Sequence, residues 1–165
     1  MSRDLEIGTP IPDFELPDEN GEMHSLSEIQ GDNLLVLHLS RGEHCPRERM
    51  HHREFLRFYE WCSLAFAELV SVLPNTQHDA LRVKIGTGAH WTFLADEDLE
   101  VQRHFDIHEY TDPHHDPMVP HTLVLKPGLM IHSLYNGYWF WGRPSIDELR
   151  RDLRDATREI RPDWA

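Results

Sequence analysis

Lysine is nearly missing from this chain: Lys84 and Lys126 are the only two in 165 residues, and arginine carries almost all the positive charge. Basic residues number 16 against 29 acidic ones, a net charge of −13. Such a surface repels phosphate backbones and anionic headgroups, which argues against nucleic acid or a membrane as partner. No apolar run approaches the length of a membrane span. Cysteine is scarce as well: Cys45 and Cys62 are too few for a disulfide scaffold, so the expected compartment is a reducing cytoplasm. The polar opening at residues 2–6 is not that expected of a secretory signal. No internal repeat and no linker is visible. The length suits one domain over residues 1–165 with its own core.

What is present alternates. Prolines 10, 12 and 17 make residues 7–18 an extended lead-in, and Asn20-Gly21 is a turn dipeptide that closes a small hairpin. Residues 25–29 suit a single helical turn. Residues 34–40 have the length and composition of a buried strand. From Pro46, apolar residues at 50, 55, 58, 59 and 64 give a helix with one apolar face. A second central strand is expected over 64–73, a helix over 77–85 broken by Gly86 and Gly88, and a short strand over 91–95. Asp96 is expected to cap a helix running through His104. Residues 106–118 form a long polar loop, then come strands at 121–126 and 129–135 around Pro127-Gly128. An amphipathic helix over 144–158 closes the chain, with Ile146, Leu149, Leu153 and Ala156 on one face. This order implies an α/β layered fold, and the late two-stranded meander makes its sheet mixed.

The chemistry-bearing stretch is Arg41-Gly-Glu-His-Cys-Pro-Arg-Glu. Strand, tight turn, cysteine, proline, helix: this places the Cys45 thiol at the first turn of a helix, where free amides and the positive dipole end favour a thiolate. A permanent positive charge over that sulfur would favour it further. Glu48 lies one turn after Cys45 on the same helix face. His44 adjoins the thiol in sequence. Cys62 follows Cys45 by 17 residues, about 25 Å along a helix at 1.5 Å per residue, whereas a disulfide needs Cα atoms within about 7 Å. Position 48 is glutamate, so a Cys-x-x-Cys pair is absent, and any second thiol must come from another molecule.

Thirteen histidines raise a rival reading. His44, Cys45, His51 and His52 make one soft-ligand group, and Asp112-Pro-His-His-Asp-Pro makes another. Neither has the spacing of a compact site within one element, so no metal is expected, although His114 and His115 lie on a loop long enough to reach over. Tyr135, Tyr138, Trp139, Phe140 and Trp141 cluster before Arg143 and suit either the rim of an apolar pocket or a dimer contact.

With Cys45 after the first central strand and Val119-Pro120-His121-Thr122 opening a late strand, the chain resembles the thioredoxin-like fold, a mixed central sheet flanked by helices. More narrowly, it resembles the peroxiredoxins of the alkyl hydroperoxide reductase / thiol-specific antioxidant family. The lead-in Ile-Gly-Thr-Pro-Ile-Pro-Asp-Phe at 7–14 is similar to that family's opening, and Cys45-Pro46-Arg47-Glu48 to its cysteine-proline-threonine-glutamate site. Trp141-Gly142-Arg143 is similar to the glycine-arginine pair carrying its catalytic arginine. Pro120 stands where thioredoxin-like proteins keep a cis-proline facing the cysteine. Two positions depart: Gly42 replaces a hydroxyl residue and His38 replaces a proline.

The resemblance implies a peroxidase that uses no cofactor. Cys45 would be its nucleophile, Arg143 its charge stabiliser and Glu48 the residue holding the arginine. Gly42, His44, Pro46 and Pro120 would border the substrate pocket. Its partners would be a peroxide, an external thiol reductant and, as an option, a second copy of the chain. The alternative, motivated by Gly42, is a non-catalytic redox sensor or binding module of the same fold.

Overall fold

The computed structural model describes residues 5–139 and 141–164. In chain order the elements are β1 (Glu15–Pro17), β2 (Met23–Ser25), α1 (Leu26–Gln30), β3 (Leu34–Leu39), α2 (Pro46–Leu64), β4 (Ala67–Leu73), α3 (Gln77–Thr87), β5 (Thr92–Ala95), α4 (Glu100–His104), β6 (His121–Lys126), β7 (Met130–Asn136) and α5 (Ile146–Ile160). A short 3₁₀ turn, Pro162–Trp164, follows. Five strands form the main sheet in the order β5-β4-β3-β6-β7. β3, β4 and β5 run parallel, whereas β6 is antiparallel to both β3 and β7. β1 and β2 make the small hairpin expected around Asn20-Gly21. No helix among the described residues is long and apolar enough to cross a membrane.

β3 sits in the middle of the sheet, and every one of its residues is buried, which is why its sequence is an apolar run without alternation. Its side chains nonetheless sort by parity. Leu35, Leu37 and Leu39 join one cluster with the lead-in residues Ile11 and Phe14, Leu26 of α1, Val101 of α4, and Phe105. Leu34 and Val36 join the other, with Phe55, Phe58 and Cys62 of α2 and Leu149, Leu153 and Ala156 of α5. The sheet therefore has helices α2 and α5 on one face and the lead-in with α1 and α4 on the other. His38 falls on the α2 face of β3, so the one polar residue in the run points beneath the start of that helix.

Several boundaries shift from expectation for local reasons. α2 continues through Leu64, which is 81% exposed, and Phe66 turns at φ 53° before β4 begins at Ala67. α3 passes through Gly86 and stops at Gly88, whose φ of 77° is the left-handed C-cap glycine favours. Asp96 is not the residue that opens α4: Leu99 is, at φ 58°. The Asp96 carboxylate still serves that helix, accepting the amides of Val101 and Gln102 at 3.2 Å each. α5 begins after Pro144, at a Ser145–Glu148 capping box.

Phe55 is fully buried where α2 meets the sheet, its ring against those of His38, His51, His52, Phe58 and Trp91. Phe55→Ala should lower unfolding stability by about 3–5 kcal/mol through the cavity it leaves. Urea denaturation measures this, and a loss below about 1 kcal/mol would contradict the packing described.

Candidate active site

After Ser40 the chain leaves β3 and turns back within five residues. Gly42 makes this possible at φ 140°, a conformation side-chain-bearing residues rarely take. Asn75 Oδ1 accepts the Glu43 amide at 3.1 Å, and the Cys45 amide donates to the Gly42 carbonyl at 3.3 Å. Cys45 is then the N-cap of α2, in extended conformation (φ −83°, ψ 116°), with Pro46 next to it and no capping bond from its own side chain. Its sulfur thus stands at the positive end of a 19-residue helix. Cys45 is only 4% exposed, and that exposure faces a cavity of about 580 Å³. Arg41, Pro46, Arg47, Glu109, Thr111, Val119, Pro120, Gly137, Tyr138, Trp139 and Arg143 complete the lining.

Arg143 reaches this cavity because the β7–α5 connection folds tightly back. Gly137 donates its amide to the Pro120 carbonyl at 2.7 Å. A Cβ on Gly137 would crowd the Pro120 ring and the Arg143 stem, and one on Gly142 would overlap the Asn136 carbonyl. The guanidinium is held by Glu48: Nε donates to Oε1 at 2.7 Å, and Nη2 lies 2.5 Å from the same oxygen. The other oxygen, Oε2, accepts from His38 Nε2 at 2.7 Å, and His38 Nδ1 meets the Thr122 hydroxyl at 3.0 Å. Glu48 is 1% exposed. Burial alone would raise its carboxyl, yet His38 and Arg143 hold it well below the usual carboxylate range. The resulting His38–Glu48–Arg143 chain joins the central strand, the first turn of α2 and the C-terminal connection in one buried polar line.

The second cation at the sulfur was not anticipated. Arg41 lines the same cavity as Cys45 and donates from Nη2 to Glu109 Oε2 at 2.7 Å. Burial would lower the Arg41 guanidinium, but Glu109 and the Cys45 sulfur outweigh it and raise it. Glu109 is held in turn by the Thr111 hydroxyl and, at 2.8 Å, by the Thr111 amide. Arg41 stands four residues before the cysteine, at the start of the chemistry-bearing stretch, where nothing in the sequence assigns it a role of its own. Glu109 and Thr111 belong to the 106–118 loop, which its polarity and length identify without singling them out.

Of the residues expected at the pocket, Cys45, Pro46, Pro120 and Arg143 line it, and Glu48 stands behind Arg143. Pro120 is not cis: among the described residues every peptide bond is trans. Gly42 and His44 do not border the cavity. The turn at Gly42 sends the His44 ring the other way, over Gly42 itself and toward the loop, where it stacks on His115. Burial and the neighbouring His115 lower the His44 imidazole below its ordinary range. His51 and His52 lie behind Glu48, not in the cavity, and burial keeps both neutral, pushed down to about 2 and about 3. Cys62 is completely buried in the α2 face of the core, and burial raises its thiol to about 12. Of the aromatic cluster, Tyr138 and Trp139 rim the cavity, Tyr135 donates its hydroxyl to Asp152 on α5, and Trp141 is exposed. Phe140 lies outside the described residues.

A mixed sheet with a cysteine at a helix start after its central strand, facing a late proline, defines a protein of the thioredoxin-like superfamily. Within it, the AhpC/TSA family model matches residues 7–133, and the chain belongs to that family. The match holds Arg41, Cys45, Glu48, Glu109 and Pro120, while Arg143 lies beyond it. Solved structures with the same fold include the peroxidoxin BcpB of Mycobacterium tuberculosis, at 19% identity over 94% of this chain and 98% of that one, TM-score 0.78. AhpC of Enterococcus faecalis is 15% identical over 94% of this chain and 95% of that one, TM-score 0.79. PrxQ of Xylella fastidiosa is 15% identical over 94% and 99%, TM-score 0.77. No curated protein sequence matches the chain.

The ionised Glu48 has a pH signature. Its carboxyl is lower in the folded than in the unfolded chain, so its contribution is complete above the unfolded value of about 4.5 and is lost as pH falls toward the folded one. Wild type should exceed Glu48→Gln in stability by a constant margin from pH 7 to about 5.5, and the margin should shrink from there to pH 3. Urea titrations across that range test this, and a margin that widens on acidification would contradict it.

Proposed function

We propose that the protein is a single-domain, cytoplasmic thiol peroxidase that works with one cysteine, Cys45, and takes its reductant from another molecule. The observation that carries this reading is the sulfur at the α2 N-cap, sharing one cavity with Arg41 and Arg143. In this reading the Cys45 thiolate attacks the outer oxygen of a hydroperoxide. The S–O bond forms, the O–O bond breaks, and the electron pair leaves on the second oxygen, which takes a proton to become an alcohol or water. Sulfur is oxidised to the sulfenic acid and the peroxide is reduced. An external thiol then displaces water to give a mixed disulfide, and a second thiol releases Cys45.

Each part of the site has a place in that sequence. The helix start and Arg41 stabilise the attacking anion. The donors of Arg41 and Arg143 face the cavity where negative charge grows on the departing oxygen. Glu48 and His38 position Arg143, and Glu109 positions Arg41. The buried Cys62 is too far along α2 and too basic to resolve the sulfenic acid, so the reductant comes from outside. Tyr138 and Trp139 give the cavity an apolar rim suited to organic hydroperoxides as well as hydrogen peroxide. A homodimer through this rim is compatible with the same surface.

Cys45→Ser should abolish peroxide consumption driven by a dithiol, and Arg41→Met should lower the rate of Cys45 oxidation by about 100-fold. Stopped-flow peroxide assays read both. Turnover by Cys45→Ser equal to wild type would refute the peroxidase reading. Oxidation of Cys45 without turnover on any dithiol would favour the redox sensor.

A further inference from the structure

We propose that His44, Asp112 and His115 form a binding site for one divalent transition ion of the zinc class, with three protein ligands and an open fourth position. The three residues come from two elements, the turn before α2 and the 106–118 loop, and no spacing in the sequence joins them. Their ligand atoms all lie within 4.8 Å of one another. Asp112 Oδ2 is 2.9 Å from His115 Nδ1 and 3.3 Å from His44 Nε2. In a tetrahedral site with metal–nitrogen bonds of about 2.0–2.1 Å, adjacent ligand atoms stand about 3.3 Å apart. Two of the three ligand-to-ligand distances therefore already stand near those of a coordination polyhedron.

His44 Nε2 is the observation that asks for a ligand. It is shielded from solvent and makes no hydrogen bond, even to the Asp112 oxygen 3.3 Å away. An aromatic nitrogen left in that condition is costly, and a cation between it and the carboxylate would satisfy it. The carboxylate is already oriented. Asp112 Oδ1 accepts the amides of His114 and His115 at 2.9 and 3.2 Å, which leaves Oδ2 facing the two rings. Those rings stack, parallel to within 1° at 3.9 Å between centroids, so on binding the half-exposed His115 ring tilts to bring both in-plane lone pairs to one ion. On binding, the proton that His115 Nδ1 now offers Asp112 moves to Nε2, on a half-exposed ring. Two imidazoles and a carboxylate with an open position form a donor set of the zinc type.

A second group, His38, Glu48 and His51, also lies within ligand distance, and both His51 nitrogens lack partners. It is the poorer host. Its only carboxylate already neutralises Arg143, so a dication there would leave a buried excess of positive charge. The His44 group lies nearer solvent, its single carboxylate is opposed by no arginine in direct contact among the described residues, and the loop that carries it also supplies Glu109 and Thr111 to the Cys45 cavity.

Zinc titration by calorimetry on the full chain tests the assignment. Wild type should take up one Zn²⁺, and Asp112→Asn and His115→Ala should each weaken binding by at least ten-fold. His114→Ala, altered at the neighbouring ring of the same loop, and Cys45→Ser should keep wild-type affinity. His115 is half exposed, so its variant is expected to fold as wild type does, and circular dichroism checks this. No uptake by wild type, unchanged affinity in both Asp112→Asn and His115→Ala, or loss of binding in Cys45→Ser would overturn the site.

Discussion

The structure depends on a carboxylate kept charged where water does not reach. Glu48 lies under the first turn of α2, between an imidazole from the central strand and a guanidinium from the far end of the chain. Burying a lone carboxylate would be prohibitive, so the group persists only because both partners are in place. That requirement is geometric. It ties β3, α2 and the connection before α5 to one another at the point where the sulfur of Cys45 emerges.

From this constraint the electrostatics of the cavity follow. Arg143, fixed by Glu48, and Arg41, fixed by Glu109, present guanidinium groups to one space, while the helix dipole adds its positive end. The protein as a whole is strongly acidic, so this pocket is a local reversal of sign on a chain of net charge −13. Each arginine is neutralised by a carboxylate, Glu48 behind Arg143 and Glu109 in the cavity wall beside Arg41. The arrangement keeps both side chains ordered while leaving donors facing inward.

Much of this was legible before any coordinates. The strand-turn-cysteine-proline-helix order placed Cys45, and the unbroken apolar run of β3 followed from a strand covered on both faces. The Gly-Arg pair before the last helix located Arg143, and the one-turn offset located Glu48. What stayed hidden was pairing across distance in sequence. Arg41 and Glu109 are 68 positions apart, and nothing in either neighbourhood announces the other. His38 was visible as a departure from a family proline, but its bond to Glu48 exists only once β3 and α2 stack. His44 was misplaced for a local reason: being next to the cysteine says nothing about direction in a turn set by a glycine at φ 140° two residues earlier. Asp96 shows the same limit on a smaller scale, because its carboxylate reaches past the Leu99 turn to cap a helix that starts later than its position implied.

The central claim is that one thiol of the two, that of Cys45, is the reacting centre. Intact and peptide mass spectrometry of the reduced protein after one equivalent of hydrogen peroxide, with the sulfenic acid trapped by dimedone, tests it most directly. The account predicts a single trapped adduct on Cys45 and an unmodified Cys62. Unreacted Cys45, or modification spread equally over the two cysteines, would contradict it.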